Sequence, residues 1–177
     1  MGEGAPPVVV EEGWTPVEPL RLEGGRGSFV SGDPQGDALR VAYFRDFSGA
    51  LVGRAWFGPG ASGPPGHAHG GSMAAVLDEA MGAAVWMNDR PSVAVHLAID
   101  FRSMLPLGTD AFLRAEIEEI RGRKVFTRGR IDDGDGTLFC RARGIFLHLD
   151  PDRDRRLLEA AAKALGADLE SVLADLQ

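Results

Sequence analysis

His69, Gly70, Gly71, Asp78 and Glu79 fall within one short stretch of the chain. Their types could act on a carbonyl. An ionised carboxylate activates water or attacks the carbon directly. Backbone N–H groups at the start of a helix are unsatisfied, and they polarise an oxygen that comes close. Two glycines in succession leave that start without side chains, so a ligand carbonyl could approach the backbone. From Ser72 to Met87 almost every residue is Ala, Met, Val, Leu, Gly or Trp. A helix that is apolar on all sides is a buried one. A carboxylate buried in its middle is costly unless something pairs with it or uses it.

The spacing limits how these groups can work together. Eight residues of helix separate Gly70 from Asp78 by about 12 Å. A reacting carbonyl must lie within about 3 Å of its donor and of its attacking group. Gly70 and Asp78 of one chain therefore cannot share a carbonyl. They could if two helices packed antiparallel across a two-fold axis, with Asp78 of one facing Gly70 of the other. Gly71, Ala74, Ala75, Gly82 and Val85 fall on the Asp78 face of the wheel, and four of these five are Gly or Ala. Small residues allow helices to approach closely, and a two-fold interface is self-complementary.

The surrounding elements must hold this helix. Residues 1–37 are rich in Gly, Pro and Glu and read as a loosely ordered arm, with one short strand at Gly27-Ser28-Phe29-Val30. Ala38 to Arg45 and Leu51 to Phe57 read as paired strands around the turn Asp46-Phe47-Ser48-Gly49. Gly58 to Gly66 is too rich in Gly and Pro for helix or interior strand. The helix then runs from about Gly70 to Asn88. Val93 to Arg102 alternates in period two, with Val93, Val95, Leu97, Ile99 and Phe101 on one face and Ala94, His96, Ala98 and Asp100 on the other. Phe112 to Arg121 and Lys124 to Ile131 flank Gly122 as a hairpin. Thr137 to Leu149 is the last strand, and residues 150–177 form a helical tail divided near Gly166. Short connections between strands predict an antiparallel sheet, and a helix apolar all round predicts that the sheet curls around it. The unit is a single domain over residues 38–149.

Composition excludes several classes. The chain has 177 residues, a net charge of −7 and one cysteine, Cys140. The acidic balance argues against a nucleic-acid surface. A lone cysteine fits a reducing compartment, and no apolar run or basic leader predicts a membrane span or secretion, so the expected location is cytoplasmic. Asp132-Asp133-Gly134-Asp135-Gly136 resembles the opening of a calcium loop but lacks a closing Glu, and reads as a hairpin turn. The histidine spacing does not match a metal pair on a helix, so no metal is expected. His67 reads as a turn residue and His148 as a surface one. Arg121, Arg123, Lys124, Arg128 and Arg130 make a basic hairpin, either a solvated edge or a contact for phosphates.

His69-Gly70-Gly71 followed by Leu77-Asp78-Glu79 resembles the hotdog-fold thioesterases, especially the phenylacetate-pathway enzymes and the mammalian thioesterase superfamily members. Gly63-Pro64-Pro65-Gly66, Asp100-Phe101-Arg102, Leu105-Pro106-Leu107-Gly108 and Gly122-Arg123-Lys124 support it in order. The resemblance implies an α+β hotdog fold, an antiparallel sheet of five or six strands wrapped around one long central helix. It implies a homodimer or dimer of dimers (a homotetramer) that hydrolyses acyl-CoA or aryl-CoA thioesters without metal or cofactor. The N–H of Gly70 or Gly71 would polarise the carbonyl, Asp78 of the partner chain would be base or nucleophile, and His69 would position the turn or the thioester. Arg123 and Lys124 would meet the CoA phosphates. The family often carries Ser or Thr where this chain has Ala94; His96, two residues on, is a candidate substitute that would touch substrate. Many relatives have Asn where Gly63 stands. These departures leave a second reading open, a hotdog module that binds acyl-CoA without cleaving it.

Overall fold

The computed structural model describes residues 6–17, 28–33 and 35–164. Seven strands and two α-helices follow in order: β1 (Thr15–Val17), β2 (Leu39–Arg45), β3 (Leu51–Phe57), α1 (Gly70–Trp86), β4 (Ser92–Phe101), β5 (Asp110–Arg121), β6 (Lys124–Asp132), β7 (Leu138–His148) and α2 (Arg155–Ala164). All neighbouring strands are antiparallel, in the order β1-β2-β3-β5-β6-β7-β4. This is the expected α+β hotdog architecture, with seven strands rather than five or six.

The topology explains the position of α1. β3 and β4 run in the same direction but are separated by β5, β6 and β7. A connection between two such strands must return along their whole length, and here the return is the helix. It crosses one face of the sheet, where small residues make room for it. A Cβ added to Gly129 would sit 3.0 Å from Leu77 Cδ2 and 3.2 Å from Met81 Cγ. Ala55, Ala111, Ala115 and Ala142 line the same face and are buried. Val76, Leu77, Ala80 and Met81 are wholly buried against them. Burying a side chain the size of Leu77 contributes about 2 kcal/mol.

The extra strand is β1. It pairs with β2, and Trp14 beside it packs on Phe44 and Phe112, with ring centroids 5.2 and 5.8 Å apart. Three residues are too few to show a period, which hides β1 in the sequence. The strand expected at Gly27–Val30 does not form where it is described: Ser28–Val30 leads into a turn that Gly32 closes by donating to the Ser28 carbonyl at 2.8 Å. Val30 fills a place in the core.

The period-two reading of β4 fails at one residue. Ala94 pairs with Phe146 and His96 with Ile145, so Val95 is bulged out of register. Directly paired residues point to the same side of a sheet. Phe146 is buried on the helix side, so Ala94, Leu97, Ile99 and Phe101 share that side, and His96, Ala98 and Asp100 take the outer one. In α2, Leu158 and Ala162 turn inward while Leu157 is exposed. The second tail helix lies outside the described residues.

Candidate active site

The turn that leads into α1 is held from both sides. Ala68 donates to the Leu105 carbonyl at 2.8 Å, Leu107 to Gly66 at 2.9 Å and His69 to Ala61 at 2.8 Å. Gly66 takes a φ of +75°, which glycine adopts without strain. Gly63 lies so close that a Cβ on it would be 2.6 Å from His69 Cα, so this turn has no room for a side chain such as the Asn that the resemblance leads one to expect there. His67 bonds through Nδ1 to the Pro65 carbonyl at 2.8 Å, a role internal to the turn.

His69 is the N-cap of α1. Its Nδ1 accepts the Gly71 N–H at 2.9 Å, and its carbonyl accepts the Ser72 hydroxyl at 2.6 Å. An accepting Nδ1 places the proton of a neutral ring on Nε2. A Cβ on Gly71 would press on that ring, at 2.9 Å from Nδ1. The cap therefore uses the Gly71 N–H. The Gly70 N–H makes no hydrogen bond among the described residues, and the N-terminal end of the helix dipole reinforces it. A Cβ on Gly70 would meet the ring tip of Phe101, 3.1 Å from Cζ.

Asp78 stands in the third turn of α1, half-buried. No ion pair or hydrogen bond reaches its carboxylate among the described residues, and partial burial pushes its pKa above the ordinary 3.8. Glu79 points elsewhere. The Tyr43 hydroxyl donates to Glu79 Oε1 at 3.0 Å, and Tyr43 is buried. Burial raises the Glu79 pKa, opposed by hydrogen bonds from Ser31 and Tyr43. Adjacent carboxylates thus differ: among the described residues Glu79 is held by hydroxyls and Asp78 by nothing.

Within one chain α1 is not buried on every side. Gly71 is exposed, and Ala74, Ala75, Asp78 and Gly82 are half-buried. Val85, expected on this stripe, is fully buried instead. The open stripe runs beside the sheet edge formed by β4, where Val93, Val95 and Phe101 are 38%, 54% and 53% exposed.

The remaining predicted residues are not gathered at Gly70. His96 is on the outer face of the sheet, across it from Ala94, so it does not stand where a hydroxyl at Ala94 would. Arg123 and Lys124 lie at the Trp86 end of α1, since Lys124 pairs with Leu147, which pairs with Val93. That end is roughly 24 Å from Gly70 along the helix. The Arg123 guanidinium bonds to the His148 carbonyl at 3.0 Å and to the Asp154 carboxylate. Lys124 is exposed. The other hairpin cations have acidic partners: Arg121 with Glu119 at 2.5 Å, Arg128 with Glu116 at 2.5 Å and Arg130 with Asp132 at 2.9 Å. Arg114, Arg128, Arg130, Arg141 and Arg143 line a cleft of about 490 Å³ on the sheet face that looks away from α1, and so away from Asp78. In the Asp132–Gly136 turn, Asp132 and Asp133 accept backbone N–H groups of Gly134, Asp135 and Thr137, a role internal to the hairpin turn. Phe101, read in the sequence only as part of a strand face and of Asp100-Phe101-Arg102, is the neighbour of Gly70. No spacing rule links a strand end to a helix start, so only the fold brings them together.

Residues 65–140 match the sequence profile of the thioesterase superfamily. Among curated proteins, the acyl-coenzyme A thioesterase THEM4 of Xenopus laevis is 35% identical over 95 residues, covering 53% of this chain and 43% of that protein. The chain thus spans less than half the length of that relative. A thioesterase superfamily protein of solved structure is 26% identical with a TM-score of 0.64, covering 81% of this chain and 69% of the other. A hypothetical thioesterase protein from Streptococcus pneumoniae, solved with coenzyme A, shares the fold at 19% identity and a TM-score of 0.55, covering 63% of this chain and 89% of its own.

Proposed function

We propose that this chain, whose residues 65–140 match the thioesterase superfamily profile, hydrolyses an acyl-CoA or aryl-CoA thioester to the free acid and CoA. The observation that carries this reading is the contrast between Asp78 and its neighbours. Among the described residues it is a half-buried carboxylate without a partner, on a helix whose first N–H, at Gly70, is also unused. Both are costs to the fold that a reaction would offset.

In the proposed site the Gly70 N–H receives the thioester oxygen, and the helix dipole steadies the charge that develops there. Asp78 of a second copy takes a proton from water as it attacks the carbonyl carbon, or attacks that carbon itself. The C–S bond then breaks and the CoA thiolate leaves; where Asp78 itself attacked, water then cleaves the resulting aspartyl anhydride, releasing the acid and restoring the carboxylate. His69 acts indirectly: by binding the Gly71 N–H it fixes the first turn and leaves Gly70 as the donor. Setting Gly70 against the partner's Asp78 places the two-fold axis at Ala74, within the stripe of Gly71, Ala74 and Ala75. The open β4 edge, with its exposed valines, supports pairing on the same side. This arrangement carries the partner's Lys124 and Arg123 to the Gly70 end, where they would meet CoA phosphates. His96, on the outer face of the sheet, stands away from the reacting centre, and its proposed role is contact with the outer parts of the substrate. A dimer of dimers would use a further surface. Among the described residues no helix is long and apolar enough to cross a membrane. The single cysteine, wholly buried at Cys140, is consistent with a cytoplasmic protein.

Release of free thiol from a panel of acyl-CoA substrates tests the reading. Turnover by the native protein that is lost in Asp78→Asn supports it; equal rates in both refute it. Ala94 favours one alternative, since a missing hydroxyl on the helix side would suit a module that binds acyl-CoA without cleaving it. Tight binding with no turnover of any substrate would establish that alternative.

A further inference from the structure

Phe101 occupies an unusual place. It ends β4, pairs with the buried Cys140 and so faces the helix side of the sheet, yet it is 53% exposed. Three atoms of its ring tip, Cζ, Cε1 and Cε2, lie 3.1, 3.3 and 3.7 Å from the position a Gly70 Cβ would take. The ring thus reaches the first residue of α1, beside the one N–H of the first turn that neither the cap nor the helix uses. The loop that follows is fixed rather than free. Arg102 and Ser103 both donate to the Phe139 carbonyl, at 2.8 and 3.2 Å, and Ala68 donates to Leu105. Met104, in the same loop, is 65% exposed.

We propose that Phe101 is the apolar wall on which the acyl group of the substrate lies, and that it determines which acyl groups the site prefers. The inference rests on the thioesterase reading, which puts the carbonyl at Gly70. A thioester has two arms. The pantetheine arm carries amides that need hydrogen-bond partners, whereas the acyl arm is the part that gains from an aromatic surface. An exposed ring edge with an exposed Met nearby suits the acyl arm. Gly70 must lack a side chain for the same reason: a methyl there would push the ring away from the donor.

Binding of two non-hydrolysable thioethers, S-octyl-CoA and S-methyl-CoA, measures the preference without needing turnover. The native protein should bind the octyl compound more tightly. Phe101→Ala should shrink the octyl-to-methyl affinity ratio by about fivefold or more, as expected when an apolar pocket loses a wall. Phe101→Leu, which keeps apolar bulk, should fall between them, and it supplies the ratio should the Ala variant not fold. An unchanged ratio in the variant, or equal affinities in the native protein, overturns the role of Phe101. Failure of the thioesterase reading looks different: no acyl-CoA is turned over, whatever the ratio of thioether affinities.

Discussion

The Tyr43 hydroxyl and Glu79 Oε1 are 3.0 Å apart, and this contact divides the work of two adjacent acids. Glu79 is anchored to the sheet beneath α1, and Asp78, one position earlier, is left with an unpaired carboxylate on the open stripe. The same contact marks Tyr43, the chain's only tyrosine, whose pKa is raised well above 10.0 by burial and by the Glu79 charge.

That pKa is directly observable. In an alkaline titration, tyrosinate absorbance should stay absent as pH passes 10.0 and appear only higher, or when the fold opens. The sign follows from linkage: the unfolded chain loses this proton first, so stability falls as pH rises above the ordinary tyrosine value. Tyr43→Phe should remove the signal and cost about 1 kcal/mol in denaturant unfolding.

Asp78 should set the acid limb of the rate. Its pKa lies above 3.8 because burial disfavours the charge. In the proposed mechanism the ionised form reacts, so kcat/KM should rise with pH through a midpoint higher than that of an exposed aspartate. Asp78→Asn should lower kcat by about a hundredfold or more. The folded state holds this proton more tightly than the unfolded one. The ionised carboxylate therefore costs stability, a cost absent at low pH and complete above the folded pKa. Thermal unfolding at pH 7 should find the Asn variant no less stable than the native protein.

His69→Ala removes the ring that accepts the Gly71 N–H. It should cost about 1 kcal/mol, the usual effect of losing an N-cap. Activity should fall further than this cost implies, because two loose N–H groups replace one aimed donor. Comparing unfolding with turnover in the same variant separates the two effects.

Ala94 and His96 can be told apart by substitution, because the bulge at Val95 sends them to opposite faces. Ala94→Ser places a hydroxyl on the helix side and should raise kcat, whereas His96→Ala should leave kcat within about twofold, as for a surface change away from the reacting centre. A large loss of kcat in His96→Ala would contradict the assignment of faces.

Much of the fold was legible in the sequence, because strong patterns carried it. The uniformly apolar run beginning at Ser72 marked the helix, and Gly-rich or Asp-rich turns separated the longer strands. The features that escaped were non-local. β1 is three residues long and is held by Trp14 packing on rings from β2 and β5. The Val95 bulge inserts one residue into an alternation that otherwise looks unbroken, so the helix-facing side runs through Ser92 and Ala94 and resumes at Leu97. At the candidate site, the His-Gly-Gly turn and the acid eight residues beyond Gly70 could be read directly. Which glycine N–H stays free could not, since it depends on the rotamer of His69. The Phe101 contact depends on where β4 ends relative to α1, and no local pattern encodes that.

The eight-residue interval between Gly70 and Asp78 has a consequence for genetics as well as for chemistry. A site assembled from two chains can be damaged in two independent ways, once in the donor half and once in the acid half. If the site is shared between two chains as proposed, mixing a chain spoiled only at Gly70 with one spoiled only at Asp78 would produce heterodimers in which one of the two sites inherits both intact halves. Two inactive alleles would then complement each other, while either one, paired with the native chain, would silence one site of the pair rather than both.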